Sequence, residues 1–268
     1  MIATPLVSII TIVYNGELYI EKTILSVLNQ HYKPIQYIII DGGSTDNTVS
    51  IIKKYAPQLH YWISEGDNGI SNAFNKGIAK ATGEIIGIIN ASDWYEPHTV
   101  EQVVEACKNA DIVYGKLRYW KLNEPIYIQV GKHELLKREM TVNHPTVFIK
   151  KQFYKDWGVF NEDLKCAMDY DLLLRFSLNG ARFMYLNIIL ANMMLDGLSD
   201  KKWLLGCRET LVIKNKLMPQ STLFNYLYFL KHITAIILPR ILKKIGLSSI
   251  VKIYRTKFSF VRKEYTAF

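Results

Sequence analysis

Val7-Ser-Ile-Ile-Thr-Ile-Val-Tyr-Asn15 is an almost unbroken β-branched run that stops on a turn-forming asparagine. A strand wetted on one face alternates apolar and polar residues, whereas a run apolar throughout belongs to a strand covered by helices on both faces. Two further runs read the same way, Gln36 to Ile40 and Glu84 to Ile89, and a weaker one spans His60 to Ser64. Between them Ile20, Ile24, Val27 and Leu28 recur at helical spacing. Helices are also predicted over Asp46 to Tyr55, behind the cap-type residues Ser44 and Thr45, and over Ile70 to Ala81, with Gly83 as its C-terminal cap. Strand and helix in alternation predict a doubly wound α/β beginning with a mostly parallel sheet. Ligands bind beyond the carboxyl ends of such strands, so Tyr14-Asn15, the loop Asp41 to Asp46 and the segment Asn90 to Asp93 are expected to converge on one crevice.

Working outward, a helix is predicted from Pro97 to about Asn109, a strand over Asp111 to Tyr114, a hairpin around Asn123-Glu-Pro125, and a helix over Met168 to Leu178 that stops at Asn179-Gly180. Residues Thr222 to Leu238 are almost wholly apolar and run into Pro239-Arg-Ile-Leu-Lys-Lys244. That length falls short of a membrane span, and a helix lying in the membrane interface is weighed against one packed on the domain. The expected division is a catalytic domain over 1–200 and a basic, apolar helical appendage over 201–268. With 268 residues, 49% of them hydrophobic, the chain has enough apolar material for a large core.

The net charge of +9 suits an anionic ligand or a membrane surface. No arginine-rich helix, zinc-finger spacing or ribonucleoprotein motif points to nucleic acid. Cys107, Cys166 and Cys207 are scattered and odd in number, which fits a reducing compartment. No basic region precedes an apolar stretch at the N-terminus, so no signal peptide is expected and the chain is placed in the cytoplasm, peripheral to the inner membrane face.

Three segments carry chemistry. Asp41-Gly-Gly-Ser-Thr-Asp46 follows a buried strand; its glycines let backbone approach a ligand and Asp41 can accept from a base or ribose, or the loop is simply a capped turn. In Asn90-Ala-Ser92-Asp93, a strand-end carboxylate can hold the hard divalent cation, Mn2+ or Mg2+, that a departing diphosphate calls for; alternatively Ser92 or Asp93 caps the next helix. In Ala167-Met-Asp169-Tyr-Asp171-Leu-Leu-Leu-Arg175, Asp169 can take the proton of an attacking hydroxyl or cap its helix, and Asp171 has the spacing of a surface pair with Arg175.

Taken in order, these segments resemble the family 2 glycosyltransferases, particularly bacterial members that build exopolysaccharide and O-antigen. Ser64-Glu-Gly-Asp67-Asn-Gly-Ile70, Asn75-Lys-Gly77, Ala81-Thr-Gly-Glu84, His144-Pro-Thr-Val-Phe148 and Gly158-Val-Phe-Asn-Glu162 carry the likeness further, over about Pro5 to Asp200. The resemblance implies the A-type glycosyltransferase fold and an inverting transfer from a nucleotide-diphosphate sugar, UDP being the more frequent choice, to a glycan or lipid-linked glycan. It places Tyr14 and Asp41 in the nucleotide pocket, Asn90 and Ser92 beside the donor, and Asn75 or Lys76 at the diphosphate. Asp93 becomes the metal ligand and Asp169 the base, while His144 is assigned to the diphosphate, metal or acceptor. Relatives read Asp-Ser-Asp-Asp or Asn-Ser-Asp-Asp where this chain reads Asn90-Ala-Ser-Asp93, leaving one carboxylate, so a catalytically degenerate sugar-nucleotide-binding or scaffold protein is the alternative.

Overall fold

β1 (Val7–Val13) lies between β2 (Ile35–Asp41) and β4 (Ile85–Asn90), parallel to both, and β3 (Tyr61–Ser64) extends the sheet parallel to β2. In the computed structural model, which describes residues 4–195, 203–244 and 262–264, β1, β2 and β4 are sealed on both faces, while β3 at the edge is only partly buried. α1 (Ile20–Leu28), α2 (Thr48–Tyr55) and α4 (Thr99–Cys107) set Ile20, Ile24, Ile52, Val100 and Val103 against Ile9 and Ile39. On the other face α3 (Ile70–Lys80) and α6 (Met168–Leu178) bring Phe74, Ile78, Leu173 and Phe176 against Ile10, Ile38 and Ile86. Each buried isoleucine contributes about 1.5–3 kcal/mol. Continuous burial on both sides is why the runs show no alternation.

α3 sits very close to β1. A Cβ at Gly77 would come within 2.4 Å of Ile10 Cγ2, so only glycine permits the contact. Gly83 has a similar role: the helix C-cap is Ala81, and a Cβ at Gly83 would lie 2.6 Å from the Leu6 carbonyl.

The second half of the sheet adds antiparallel strands to the parallel half. β8 (Phe148–Lys150) runs antiparallel to β4 and to β6 (Ile112–Lys121), and β7 (Glu124–Val130) and β10 (Arg262–Glu264) continue antiparallel from β6. The β6–β7 turn is tight because Leu122 and Asn123 both adopt positive φ, 49° and 67°. β9 (Phe183–Met194) pairs parallel with β6 and antiparallel with β5 (Asp93–Tyr95). β6 and β7 are joined by a two-residue hairpin, which makes that pair antiparallel.

Two helices follow, α7 (Trp203–Leu217) and α8 (Thr222–Lys244), while the expected boundary at 200/201 lies outside the described residues. Ile213 of α7 and Met218 after it belong to the same core as α3 and α6. Lys214 is buried, with Nζ donating to the Arg138 carbonyl at 3.2 Å and lying 4.4 Å from the Tyr228 ring centre. α8 instead turns apolar residues outward: Leu223 is 77% exposed, and Phe224, Leu227, Leu230, Ile237, Leu238 and Ile241 are exposed with it. No helix among the described residues is long and apolar enough to cross a membrane.

Candidate active site

The loops after β1 and β2 are bonded to each other. Ser44 Oγ accepts from Asn15 N (2.8 Å), Asn15 Oδ1 accepts from Thr45 N (2.8 Å), Thr48 Oγ1 accepts from Gly16 N, and Asp46 accepts from Glu17 N. Glu17 Oε2 answers by accepting from Asn47 N and Nδ2, both at 2.9 Å. Ser44 and Thr45 are therefore committed across the crevice and do not cap α2, which begins at Thr48.

Asp41 is the hub of this region. Its Oδ2 accepts from Gly43 N (3.2 Å), Ser44 N (2.9 Å) and Ser64 Oγ (2.6 Å), and its Oδ1 accepts from Ser44 Oγ. The side chain is fully buried and saturated. Asp41 thus builds the loop, and beside it Tyr14 is 64% exposed. A Cβ at Gly42 would meet Asp67 Oδ2 at 2.6 Å and Tyr14 Cδ2 at 3.6 Å, so Tyr14, Gly42 and Asp67 crowd one spot. Asp67 lies in the segment Ser64 to Ile70, where sequence alone gives it no role. The signal for it is the glycine opposite, visible only in three dimensions.

Asn75 and Lys76 are both engaged. Asn75 Nδ2 donates to the Phe160 carbonyl (3.0 Å) and Glu162 Oε1 (2.9 Å), while its Oδ1 accepts from Phe160 N (3.0 Å). Glu162 Oε2 also accepts from Asn72 Nδ2 at 3.0 Å. Lys76 Nζ pairs with Glu65 at 2.7 Å and donates to the Gly66 carbonyl. Asn75 therefore fixes the loop leading to α6, and Lys76 fixes the loop after β3.

The end of β4 departs from the sequence expectation. Asn90 shares the sheet face of Ile86 and Ile88, against which α3 and α6 pack, and its Oδ1 is buried without a partner. Ser92 Oγ lies 3.4 Å from Asp93 Oδ1. Asp93 itself is 0% exposed. Its β5 register sets it opposite Met193, next to Tyr119 on β6, on the side where Tyr95 packs with Leu117 and Ala191. Burial pushes its carboxyl up to about 8, and its Oδ2 has no partner. A hard divalent cation is held by ionised, accessible oxygen. A sealed acid flanked by neutral Asn90 and Ser92 is not that donor set, and no group of three His, Cys, Asp or Glu side chains converges among the described residues. The residues present do not fit a resident cation at Asp93.

Asp169 occupies the first turn of α6, where the helix dipole favours negative charge. Its side chain is 28% exposed, and Oδ1 has no hydrogen-bond partner. His144, in a single 3-10 turn, brings Nε2 to 3.8 Å from that oxygen and rests on Phe74 with ring centres 5.0 Å apart. The structure thus brings Asp169 and His144 together. Asp171 does pair with Arg175 at 2.9 Å, but inside the protein: Arg175 also donates to the carbonyls of Trp157, Gly158 and Val159, and the pair holds that loop down.

Residues 8–174 match the family model described as Glycosyl transferase family 2. An uncharacterized glycosyltransferase of Mycobacterium tuberculosis is 32% identical over 188 residues, covering 66% of this chain and 71% of the relative. A hyaluronan synthase of Pasteurella multocida is 31% identical over 241 residues, 83% of this chain but 24% of that protein. Among solved structures, residues 1–349 of S. aureus TarS in complex with UDP-GlcNAc superpose with a TM-score of 0.61 at 18% identity, covering 83% and 73% of the two chains. The mannosyltransferase PcManGT from Pyrobaculum calidifontis, in complex with GDP-Man and Mn2+, gives 0.62 at 17% identity over 97% and 77%. At these identities the structural likeness speaks to the fold.

Proposed function

The chain belongs to glycosyl transferase family 2, and on that premise we propose that it moves a sugar from a nucleotide-diphosphate donor to a hydroxyl acceptor by one inverting displacement, with Asp169 as the base. The observation that carries the reading is the Asp169 carboxylate, 28% exposed at the head of α6, with its Oδ1 buried beside His144 Nε2. The acceptor hydroxyl gives its proton to this carboxylate on its exposed side, its electron pair forms the new bond at the anomeric carbon, and the diphosphate leaves with the electrons of the old one. A base so placed contributes about a hundredfold to ten-thousandfold. His144, beside it, orients the carboxylate.

Donor binding is assigned to Tyr14 and the Asp41–Thr45 loop, with Asp67 and Gly42 at its floor. A UDP-sugar is the donor we favour. The likeness to a hyaluronan synthase supports a glycan or lipid-linked glycan acceptor in surface polysaccharide synthesis. The reading routes no step through a cation at Asp93, because that side chain is sealed from solvent. The test is Asp169→Asn: donor binding stays near normal and transfer is lost, whereas retained turnover removes Asp169 from the mechanism.

The neutral Asn90-Ala-Ser92 stretch favours a second reading, a protein that binds sugar nucleotides without chemistry. Incubation with a panel of UDP- and GDP-sugars separates the two, since only an enzyme releases nucleoside diphosphate.

α8 supports peripheral attachment to the cytoplasmic face of an anionic membrane. Leu223, Leu227, Leu230, Ile237 and Ile241 fall on one outward stripe, and the helix ends on Lys243 and Lys244. The test is L227K combined with L230K, which leaves the α7 packing untouched; unchanged binding to vesicles containing anionic lipid sinks the idea.

A further inference from the structure

α6 begins without a side-chain cap of its own: Ala167 is its N-cap residue and makes no such bond. The carboxylate that serves this turn comes from α7. Glu209 Oε1 accepts from Lys165 N at 2.9 Å, and Oε2 accepts from Cys166 N and Ala167 N, both at 2.8 Å. Three successive backbone N–H groups converge on one side chain that is only 9% exposed. Charge-assisted bonds of this kind are about twice as strong as neutral ones, and a buried donor left unpaired costs about 1–3 kcal/mol. Close packing supports the clamp, since Gly206, one turn before Glu209, lies against Cys166, where an added Cβ would sit 3.6 Å from the Cys166 Cβ.

We propose that Glu209 is the positioning residue for the base: it acts through the Lys165–Ala167 backbone to fix where α6 starts, and so where Asp169 points. Asp169 stands two residues beyond the last clamped N–H. The same short segment is held from the other side by α3, through Asn72 and Asn75 on Glu162. Lys165 Nζ adds a bond to the Glu162 carbonyl at 3.1 Å. The entry to α6 is therefore suspended between α3 and α7, and on the α7 side one carboxylate holds three of its amides. A displacement of about 1 Å at a reacting group can cost about a hundredfold in rate. This role rests on the reading of Asp169 as base.

The experiment compares Glu209→Ala, Glu209→Gln and Asp169→Asn in the full chain. It uses whichever of UDP-glucose, UDP-galactose, UDP-GlcNAc and GDP-mannose turns over fastest. Gln keeps one acceptor oxygen, enough for Cys166 and Ala167; Ala keeps none. Turnover is expected to fall about tenfold to a hundredfold in Glu209→Ala and less in Glu209→Gln, with donor KM within about twofold of wild type. Hydrogen exchange at the amides of 165–167 accelerates in the same order. Wild-type kcat in both Glu209 variants, with Asp169→Asn inactive, overturns the positioning role and leaves the base standing. Turnover retained by Asp169→Asn overturns the base reading and this role with it. If Glu209→Ala does not fold, Glu209→Gln decides: reduced kcat at unchanged KM supports the role, and wild-type kcat refutes it.

Discussion

Replacing Asp93 by asparagine should make the protein more stable, and increasingly so as the pH rises. In the folded chain burial holds this carboxyl near 8, against an ordinary value of 3.8. Between those values the folded state keeps a proton that the unfolded state has released, so wild-type stability falls with rising pH. One pH unit corresponds to about 1.4 kcal/mol, so the cost at pH 7 is about 4 kcal/mol and levels off above pH 8. The substituted side chain carries no ionisable group. Its amide oxygen can still accept from Ser92, and its N–H group stands where the protonated acid held O–H. The measurement is urea unfolding of both proteins at pH 5, 6, 7 and 8. The gap between them should widen by about 3–4 kcal/mol across that range, with no change in m. Parallel pH profiles would mean that Asp93 is ionised in the native protein, which would restore it as a metal ligand and refute the reasoning that set it aside.

Manganese added without donor should bind the wild type and Asp93→Asn alike in calorimetry, because the carboxylate offers no accessible charge; a site lost in the variant contradicts this. Tyr14→Ala should weaken UDP affinity about tenfold at unchanged melting temperature, as expected for one lost base-stacking contact, and equal affinity places the base elsewhere. Gly77→Ala should destabilise by about 1–3 kcal/mol by forcing Ile10 aside, read as a lower urea midpoint. Truncation before Trp203 should unfold or severely destabilise the domain, since Ile213 and Met218 leave the core, whereas removal from Thr222 onward should be far milder.

What the chain displays locally was legible. β1, β2 and β4 declared themselves because burial on both faces demands unbroken apolar runs, and α6 was placed with its observed ends, Met168 and Leu178. Of the antiparallel half only the start of β6 and the β6–β7 hairpin were legible, because β5 and β8 are three residues long and β9 mixes Asn187 and Asn192 into an apolar stretch. At the site, sequence order brought out the loops but not which way a side chain turns. Asp93 and Asp169 look alike as letters; a strand partner closes over one, and a helix start leaves the other half open. Asn75 read as a ligand contact and is a loop fastener, because Glu162 and Phe160 lie 85 or more residues further along. Glu209 could not be found at all without the fold, as the backbone it serves is more than 40 residues upstream.

The cross-bonded loops after β1 and β2 bear on how this region can change over generations. Asn15, Glu17, Ser44 and Asp46 each satisfy a group belonging to the other loop, so a substitution at one of them alters what is tolerated at its counterpart. Paired replacements, such as Glu17 with Asn47, should show non-additive effects of about 0.5–3 kcal/mol, while pairs within the distant β6–β7 hairpin and these loops simply add. A shift in donor preference would then have to arrive as a coordinated exchange in both loops, leaving residue covariation between 14–17 and 44–48 as its trace.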